Sequence, residues 1–406
     1  MNQSHDPVRQ LNYIQQSLSQ SKSPIGFFLA AGCPLSIRIG EEKKPLIPDI
    51  KGLTDAIREK FKTPTHKFQM VMGHFSEDGN PNPNIEDILS HIRLLKKVAG
   101  RGSARGLSAE ELKNMDSEIS TEIVKIVNKS LPNRETPYHN IAEWIRTIPR
   151  TQPVEIFTTN YDLLMEQALE ANKVPYFDGF IGSRHTFFDS YSMEEDQLPP
   201  RWARLWKLHG SVNWRQSYEE SQDGNISRRS ADVSSDDFSY VIHPSHLKYD
   251  ESRRMPYLAM IDRLRSFLRK PHTVLISNGY SFGDEHLNDI LIDGLQINST
   301  GIIFALVYGK LENYEKAIKI SRTTHNFNLL GFDEAVIGTR RAAWIEKESF
   351  EIPKEYPEIK WLQMDETDAN SKKAAQFMLG DFNYFGTFLK ELVGEIPYEE
   401  IKIDHK

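Results

Sequence analysis

The 406-residue sequence holds a single cysteine, Cys33. One thiol cannot close a disulfide within the chain, and it cannot supply a four-cysteine zinc site. Positive charge is also short, with 50 Lys and Arg against 57 Asp and Glu and a formal net charge of -7. A chain built mainly to coat nucleic acid is normally basic, so direct nucleic-acid binding is not expected, although a local basic face is not excluded. No run approaches the ~18 uninterrupted apolar residues of a membrane span. The opening segment, MNQSHDPVRQLNYIQQ, lacks the basic-then-apolar layout of a signal peptide. The expectation is a cytoplasmic protein with no membrane association. At this length, with 39% hydrophobic and 26% charged residues, the chain suits two compact units, or one domain with a large insert.

Periodicity gives the organisation. Val8, Leu11, Ile14 and Leu18 fall three or four apart, predicting a helix over 7–20 that Pro24 stops. Ile25–Ala31 is a short apolar run closed by Gly-Cys-Pro, a buried strand and turn. Residues 38–52 read as a loop over that strand's C-terminal end. From Leu53 to about Arg150 the pattern is helical, with stripes at Ile85, Ile88, Leu89, Ile92 and Leu95 and at Ile119, Ile123, Ile126 and Val127. The GRGSARGLSAEE stretch between them lacks the GK[ST] ending of a phosphate loop and reads as a flexible surface connection. Further strands are predicted at Val154–Thr159, Arg204–Leu208, Thr273–Gly279 and Ile302–Tyr308, with helices at Leu163–Ala171, Met255–Arg269 and His286–Leu295. This alternation predicts an α/β fold, a doubly wound parallel, Rossmann-like sheet. A catalytic domain over 1–309 would then carry a helical insert at 53–150, followed by a small C-terminal α+β region at 310–406. Residues 215–239 read as a polar, exposed excursion.

Ligands of open parallel sheets bind at the carboxyl ends of the strands. The polar motifs fall there: Ala30-Ala31-Gly32-Cys33-Pro34-Leu35-Ser36, Thr158-Thr159-Asn160-Tyr161-Asp162, Lys207-Leu208-His209-Gly210-Ser211, and Gly279-Tyr280-Ser281-Phe282-Gly283-Asp284. Each has a structural alternative. Small residues at 30–32 suit any tight strand–helix turn, and Thr159, Asn160, Asp162 and Asp284 are good helix-capping types. A lone histidine between a strand and a glycine is commonly structural. Together, the four motifs describe one site.

In order and content the motifs resemble the sirtuin (silent-information-regulator) family. Its hallmarks are a GAG-x-S turn, a [TQ]-x-N-x-D strand end, an L-H-G strand end and a G-[TS]-S turn. The matching residues are Ala30-Ala31-Gly32-Cys33 with Ser36, Thr159-Asn160-Tyr161-Asp162, Leu208-His209-Gly210 and Gly279-Tyr280-Ser281. Ile47-Pro48-Asp49 looks like the family's nicotinamide-pocket segment. The first turn begins with Ala instead of Gly, and Pro34-Leu35 separates Cys33 from Ser36. The family's zinc module needs four cysteines, and none lies between His209 and Ser277. That module frames the acyl-lysine groove, so its lack weighs against deacylation. The combination resembles more closely the bacterial antiphage sirtuin-like NAD hydrolases, in particular the subunit that works with a HerA-type hexameric ATPase.

The resemblance implies NAD as substrate, with no metal required. It also implies Asn160 and His209 as catalytic residues. The Asn160 amide carries both donor and acceptor and can hold a ribose hydroxyl or orient a water, while neutral His209 can act as general base. Ala30, Ala31, Gly32, Cys33 and Ser36 would approach the diphosphate, aided by a helix N-terminus. Asp49 would face the nicotinamide amide, and Thr159 would line the site. Asp162 would accept from ribose or hold the Asn160 loop. Gly279, Ser281 and Phe282 would contact the adenosine side.

Other readings are weaker. His243-x-x-His246 offers two metal ligands with no third nearby. Cys33 reads as a small buried thiol rather than a nucleophile. The run RWARLWKLHGSVNW suits a core strand better than a nucleic-acid stacking surface. Three functions therefore stand: an NAD hydrolase gated by a partner or oligomer, a deacylase or ADP-ribosyl transferase using the same bond cleavage, and a non-catalytic NAD or ADP-ribose sensor. The helical insert and the C-terminal region, which bear apolar stripes and no chemical motif, are expected to make subunit contacts in a homo-oligomer.

Overall fold

A computed structural model describes residues 4–183, 186–194, 198–217, 226–229, 240–242, 256–346, 356–362 and 374–394. The HPSH histidines and most of the 215–239 excursion lie outside the described residues.

Eleven strands matter here: β1 (Ser4–His5), β2 (Ile25–Leu29), β3 (Val154–Thr158), β4 (Tyr176–Phe177), β5 (Ala203–Lys207), β6 (Gly210–Ser217), β7 (Val274–Asn278), β8 (Ile302–Leu306), β9 (Phe327–Leu330), β10 (Glu334–Ile337) and β11 (Arg340–Trp344). All but β6 join one sheet of order β1-β11-β10-β9-β8-β7-β2-β3-β5-β4. From β9 to β4 neighbouring strands are parallel, while β10 is antiparallel to both β9 and β11. The fold is thus α/β with a doubly wound, mostly parallel sheet. Its topological switch falls at β2, from which the chain builds first toward β3 and later toward β7. In-register pairing of Leu29 with Thr158 and Asn278, and of Lys207 with Thr158, ends the central strands in one row. Residues 30, 159, 208 and 279 therefore emerge side by side.

The central strands carry apolar residues in runs because both faces are covered. Phe27 and Ile156 enter one core, and Phe28 and Phe157 enter the other. The first core is covered by α1 (Pro7–Ser19), α3 (Ile50–Lys60), α4 (Phe68–Glu77), α5 (Ile85–Ala99), α6 (Ala109–Val127), α7 (Pro137–Thr147), α8 (Leu164–Ala171) and α13 (Phe382–Val393). The second is covered by α9 (Ser190–Glu194), α10 (Tyr257–Arg269), α11 (Glu285–Ile297) and α12 (Glu315–Thr323). In α1, Pro7 sits in the first turn and the Asp6 side chain accepts from the Arg9 amide, so the stripe of Val8, Leu11, Ile14 and Leu18 is buried as its spacing predicted.

Two regions differ from the sequence reading. The GRGSARGLSAEE stretch is a tight hairpin, not a flexible connection: Ser103–Ala104 pairs with Leu107–Ser108 across Arg105 and Gly106, both at positive φ. Ser108 then caps α6 in a reciprocal box with Glu111. The C-terminal stretch is continuous with the main sheet through β9–β11. Its helix α13 packs so tightly on α7 that a Cβ at Gly386 would meet Pro137 Cα at 2.7 Å. The size of this stretch suggested a separate unit, but its apolar residues Phe377, Leu379, Phe382 and Phe385 are spent on the shared core.

Candidate functional site

The turn after β2 leads into α2 (Gly32–Ser36), and the turn after β7 leads into α11. They meet backbone to backbone at the switch point. The Gly32 amide donates to Gly279 O at 2.9 Å, and a Cβ at Gly32 would stand 2.6 Å from Gly279 Cα. Gly279 has φ +71, and a Cβ there would meet Cys33 N at 2.6 Å. Both positions require glycine, for space at one and for space and backbone conformation at the other. The Cys33 amide donates to Ala30 O at 2.9 Å, and Ser36 Oγ donates to Cys33 O at 2.7 Å. The amides expected to face a diphosphate are therefore engaged inside the turn. Moreover, α2 is a single five-residue turn whose dipole adds little. What this turn contributes is a backbone surface without side chains, with Ala31 exposed at the rim and Ala30 buried.

Asn160 is buried where β3 ends. Its amide N–H donates to Thr158 Oγ1 at 3.0 Å, and its side-chain Nδ2 donates to Ala30 O at 3.2 Å. One Nδ2 proton and the Oδ1 lone pairs lie beyond those bonds. Half-buried Thr159 precedes it. Asp162 is buried and accepts from the Leu164 amide at 3.0 Å, so its carboxylate holds the loop-to-helix junction. Burial pushes that carboxyl above its ordinary range, opposed by the Lys207 ammonium.

Lys207, the last residue of β5, is itself buried. Its ammonium donates to Glu166 Oε1 at 3.0 Å, to Tyr161 O at 3.5 Å and to Asp162 O. The cation thereby ties the Asn160 loop to β5. Two residues on, the half-buried His209 places Nε2 3.2 Å from Asp284 Oδ2. Asp284 also caps α11, its Oδ1 accepting from the Leu287 amide at 3.2 Å. After Gly210, the Val212 amide donates to Tyr161 O at 2.9 Å.

These contacts close a circuit. Ala30 binds Asn160, the Asn160 loop binds β6 beside His209, His209 meets Asp284, and the turn of Asp284 begins at Gly279, which binds Gly32. The two candidate catalytic residues thus belong to one rim.

Other expected residues lie differently. Phe282 is a core residue, not a ligand contact: its ring is buried against Tyr280 and Phe327. Ser281 beside it is exposed. Asp49 is exposed and caps α3, accepting from the Gly52 amide at 2.8 Å. Cys33 is fully buried, its Sγ 3.3 Å from Asn278 O, and burial pushes its thiol far above the ordinary range, which leaves no thiolate. Trp206 and Trp214 are buried in the core, as the core-strand reading of that run required.

Four participants were not legible beforehand. In sequence Asp284 reads as a cap, and nothing local pairs Lys207 with Glu166. A lysine ending an otherwise buried strand is the signal that a carboxylate must meet it. The fourth, Tyr138 of α7, sits beside the Asn160 side chain, and its hydroxyl makes no hydrogen bond of ordinary geometry among the described residues. Burial raises its phenol well above the usual value, with Asp162, Cys33 and Glu166 adding to the effect and Asn160 opposing it.

Ligands of a doubly wound α/β sheet bind in the crevice at its switch point, and the polar turns of this chain gather there. Residues 154–326 match the family model described as a SIR2-like domain, a family of NAD-dependent enzymes. The match contains Asn160, His209 and Gly279–Asp284 and leaves out the β2 turn and Asp49. No curated protein matches the chain. Among the described residues, no group of three or more His, Cys, Asp or Glu is arranged to hold a metal ion, and no helix is long and apolar enough to cross a membrane.

Proposed function

We propose that the protein is an NAD glycohydrolase that converts NAD and water to nicotinamide, ADP-ribose and a proton. The C–N bond to the ribose breaks with its electron pair passing to the pyridinium nitrogen. A C–O bond forms from water, whose proton passes to His209 and then to solvent. Asn160 orients the ribose or the water, and His209 is the base. The observation that carries this reading is the closed circuit of strand-end turns, which sets a buried amide and a half-buried imidazole on one rim. Gly32 and Gly279 pack backbone to backbone at the switch point, the crevice where a dinucleotide would lie. Asp162 and Lys207 hold the Asn160 loop in place.

Uncontrolled loss of NAD harms a cell, so such an activity requires gating. We assign the protein to antiphage defence, as a homo-oligomer that acts with a HerA-type hexameric ATPase in the cytoplasm. The motif resemblance supports this. For the subunit contact alone, further support comes from Leu94 and Val98, exposed one turn apart on the insert helix α5.

Purified chain, alone and with a HerA-type ATPase, is incubated with NAD and no acceptor. Free ADP-ribose and nicotinamide are the expected products. A requirement for a protein acceptor would make it a transferase, and binding without turnover in the complete complex would make it a sensor. His209→Ala and Asn160→Ala are each expected to lower turnover by roughly 10²–10⁴-fold while the protein stays folded. Parental rates in either variant would overturn the site assignment.

A further inference from the structure

Asp284 is committed at both oxygens: Oδ1 takes the Leu287 amide and Oδ2 lies 3.2 Å from His209 Nε2. A capping aspartate needs only the first. The turn that carries it is braced well beyond what a cap requires. Phe282, a residue with a Cβ, is held at φ +59, in the sparsely populated left-handed region. Its carbonyl accepts from Asn288 Nδ2 at 2.9 Å. The Tyr280 hydroxyl is shared between Asp284 O at 3.1 Å and Asn288 Oδ1 at 3.0 Å. Buried Asn288 therefore locks the turn from inside α11, and the locked turn fixes where the Asp284 carboxylate points.

We propose that Asp284 is the positioning residue of His209: its carboxylate, which can only accept, holds the neutral imidazole with its proton on Nε2 and its basic lone pair on Nδ1. The two strand ends thus form a His–Asp dyad in which the base is aimed by a residue 75 positions away in sequence, on the turn that opens α11. The inference rests on the hydrolase reading for its kinetic consequence and on geometry alone for the tautomer.

The test variant is Asp284→Asn. The side-chain oxygen still caps Leu287, so the remaining position presents an NH₂ to the ring. The imidazole must then accept at Nε2 and carry its proton on Nδ1. Two-bond ¹H–¹⁵N correlation spectra at about pH 8, where an ordinary imidazole is neutral, report the tautomer without turnover, with His209 assigned by difference against His209→Gln. The expected result is an Nε2–H ring in the parent, an Nδ1–H ring in Asp284→Asn, and a fall in kcat of roughly 10²-fold or more at little change in KM. An Nδ1–H ring in the parent overturns the proposal even if the variant does not fold. An unchanged tautomer in a folded variant also overturns it, as does an unchanged kcat after the switch. A parent with the expected tautomer and switch but no NAD hydrolysis in the complete complex would remove the hydrolase reading and leave the dyad standing.

Discussion

The two ends of the parallel sheet both bury charge, and they treat it in opposite ways. At the N-terminal end, Glu155 of β3 is buried and fully committed. Oε2 accepts from Trp206 Nε1 at 2.8 Å, while Oε1 lies 2.9 Å from Lys270 Nζ and 3.8 Å from Arg263 Nη2. Arg263 also stacks over the Trp206 ring at 5.5 Å. Both Glu155 oxygens are used inward, as a structural ion cluster requires. At the C-terminal end the charges beneath the surface, Lys207 and Glu166, are likewise paired, but the groups above them lie at the rim. Asn160 keeps donor and acceptor capacity beyond its bond to Ala30, Tyr138 has no regular hydrogen-bond partner among the described residues, and the His209 side chain stays 14% exposed. The two ends differ in what they present: a closed ion cluster at one, an amide and an imidazole at the rim of the other.

That contrast can be broken most forcefully by exchanging the damage. Losing His209 or Asn160 is expected to remove activity while the protein stays folded. Glu155→Ala should do the reverse, costing roughly 3–5 kcal/mol of stability because Lys270, Arg263 and the Trp206 N–H lose their common acceptor. Denaturant melts paired with turnover per folded molecule measure both, and a large activity loss in folded Glu155→Ala would erase the distinction. Lys207→Met should fall between the two. It leaves Glu166 without its cation and takes the donor from the Asp162 carbonyl, so both the midpoint and, by about tenfold or more, the rate should drop. A rate loss without any stability loss would recast Lys207 as part of the site surface.

The smallest effect belongs to the insert. His91 Nε2 lies 3.4 Å from His74 Nδ1, whose Nε2 in turn meets Arg105 O at 3.1 Å, an arrangement suited to neutral rings. Burial, then the neighbouring His74 and Arg105, depress the His91 pKa, with Asp78 opposing. For a depressed histidine the stabilising contribution is present above the unfolded pKa of ~6.5 and lost as pH falls through the folded value. Melts between about pH 7.5 and 5 should therefore show an acid loss of stability that His91→Gln flattens. An identical profile in the variant would place the acid sensitivity elsewhere.

Much of this was legible beforehand because it is local. The stripe of α1, the apolar runs of β2, β3, β5, β7 and β8, and the small or capping residues at their ends follow from side-chain period and turn chemistry. Phe282 shows where such reasoning fails. Its place in the motif suggested a ligand contact, yet a Cβ-bearing residue at positive φ directs the ring into the core. Asp49 likewise looks like a pocket residue in sequence and serves as an exposed cap. Neither difference has a local signal, since a capping aspartate and a binding aspartate are the same residue until the surroundings are known.

The order of strands and helices, the excess of buried apolar residues and the identity of the polar groups at the strand ends were determined by the sequence alone, since each depends on neighbours within a few positions. Tertiary structure decided which of those groups meet. Strand order put β2 between β3 and β7, so that Gly32 touches Gly279 and Ala30 receives Asn160. The braced turn brought Asp284 to His209, and the C-terminal α13 closed over α7 and β2. Hydrogen bonds and ion pairs act over a few ångströms in space, whatever the separation along the chain, and only the assembled sheet supplies those distances.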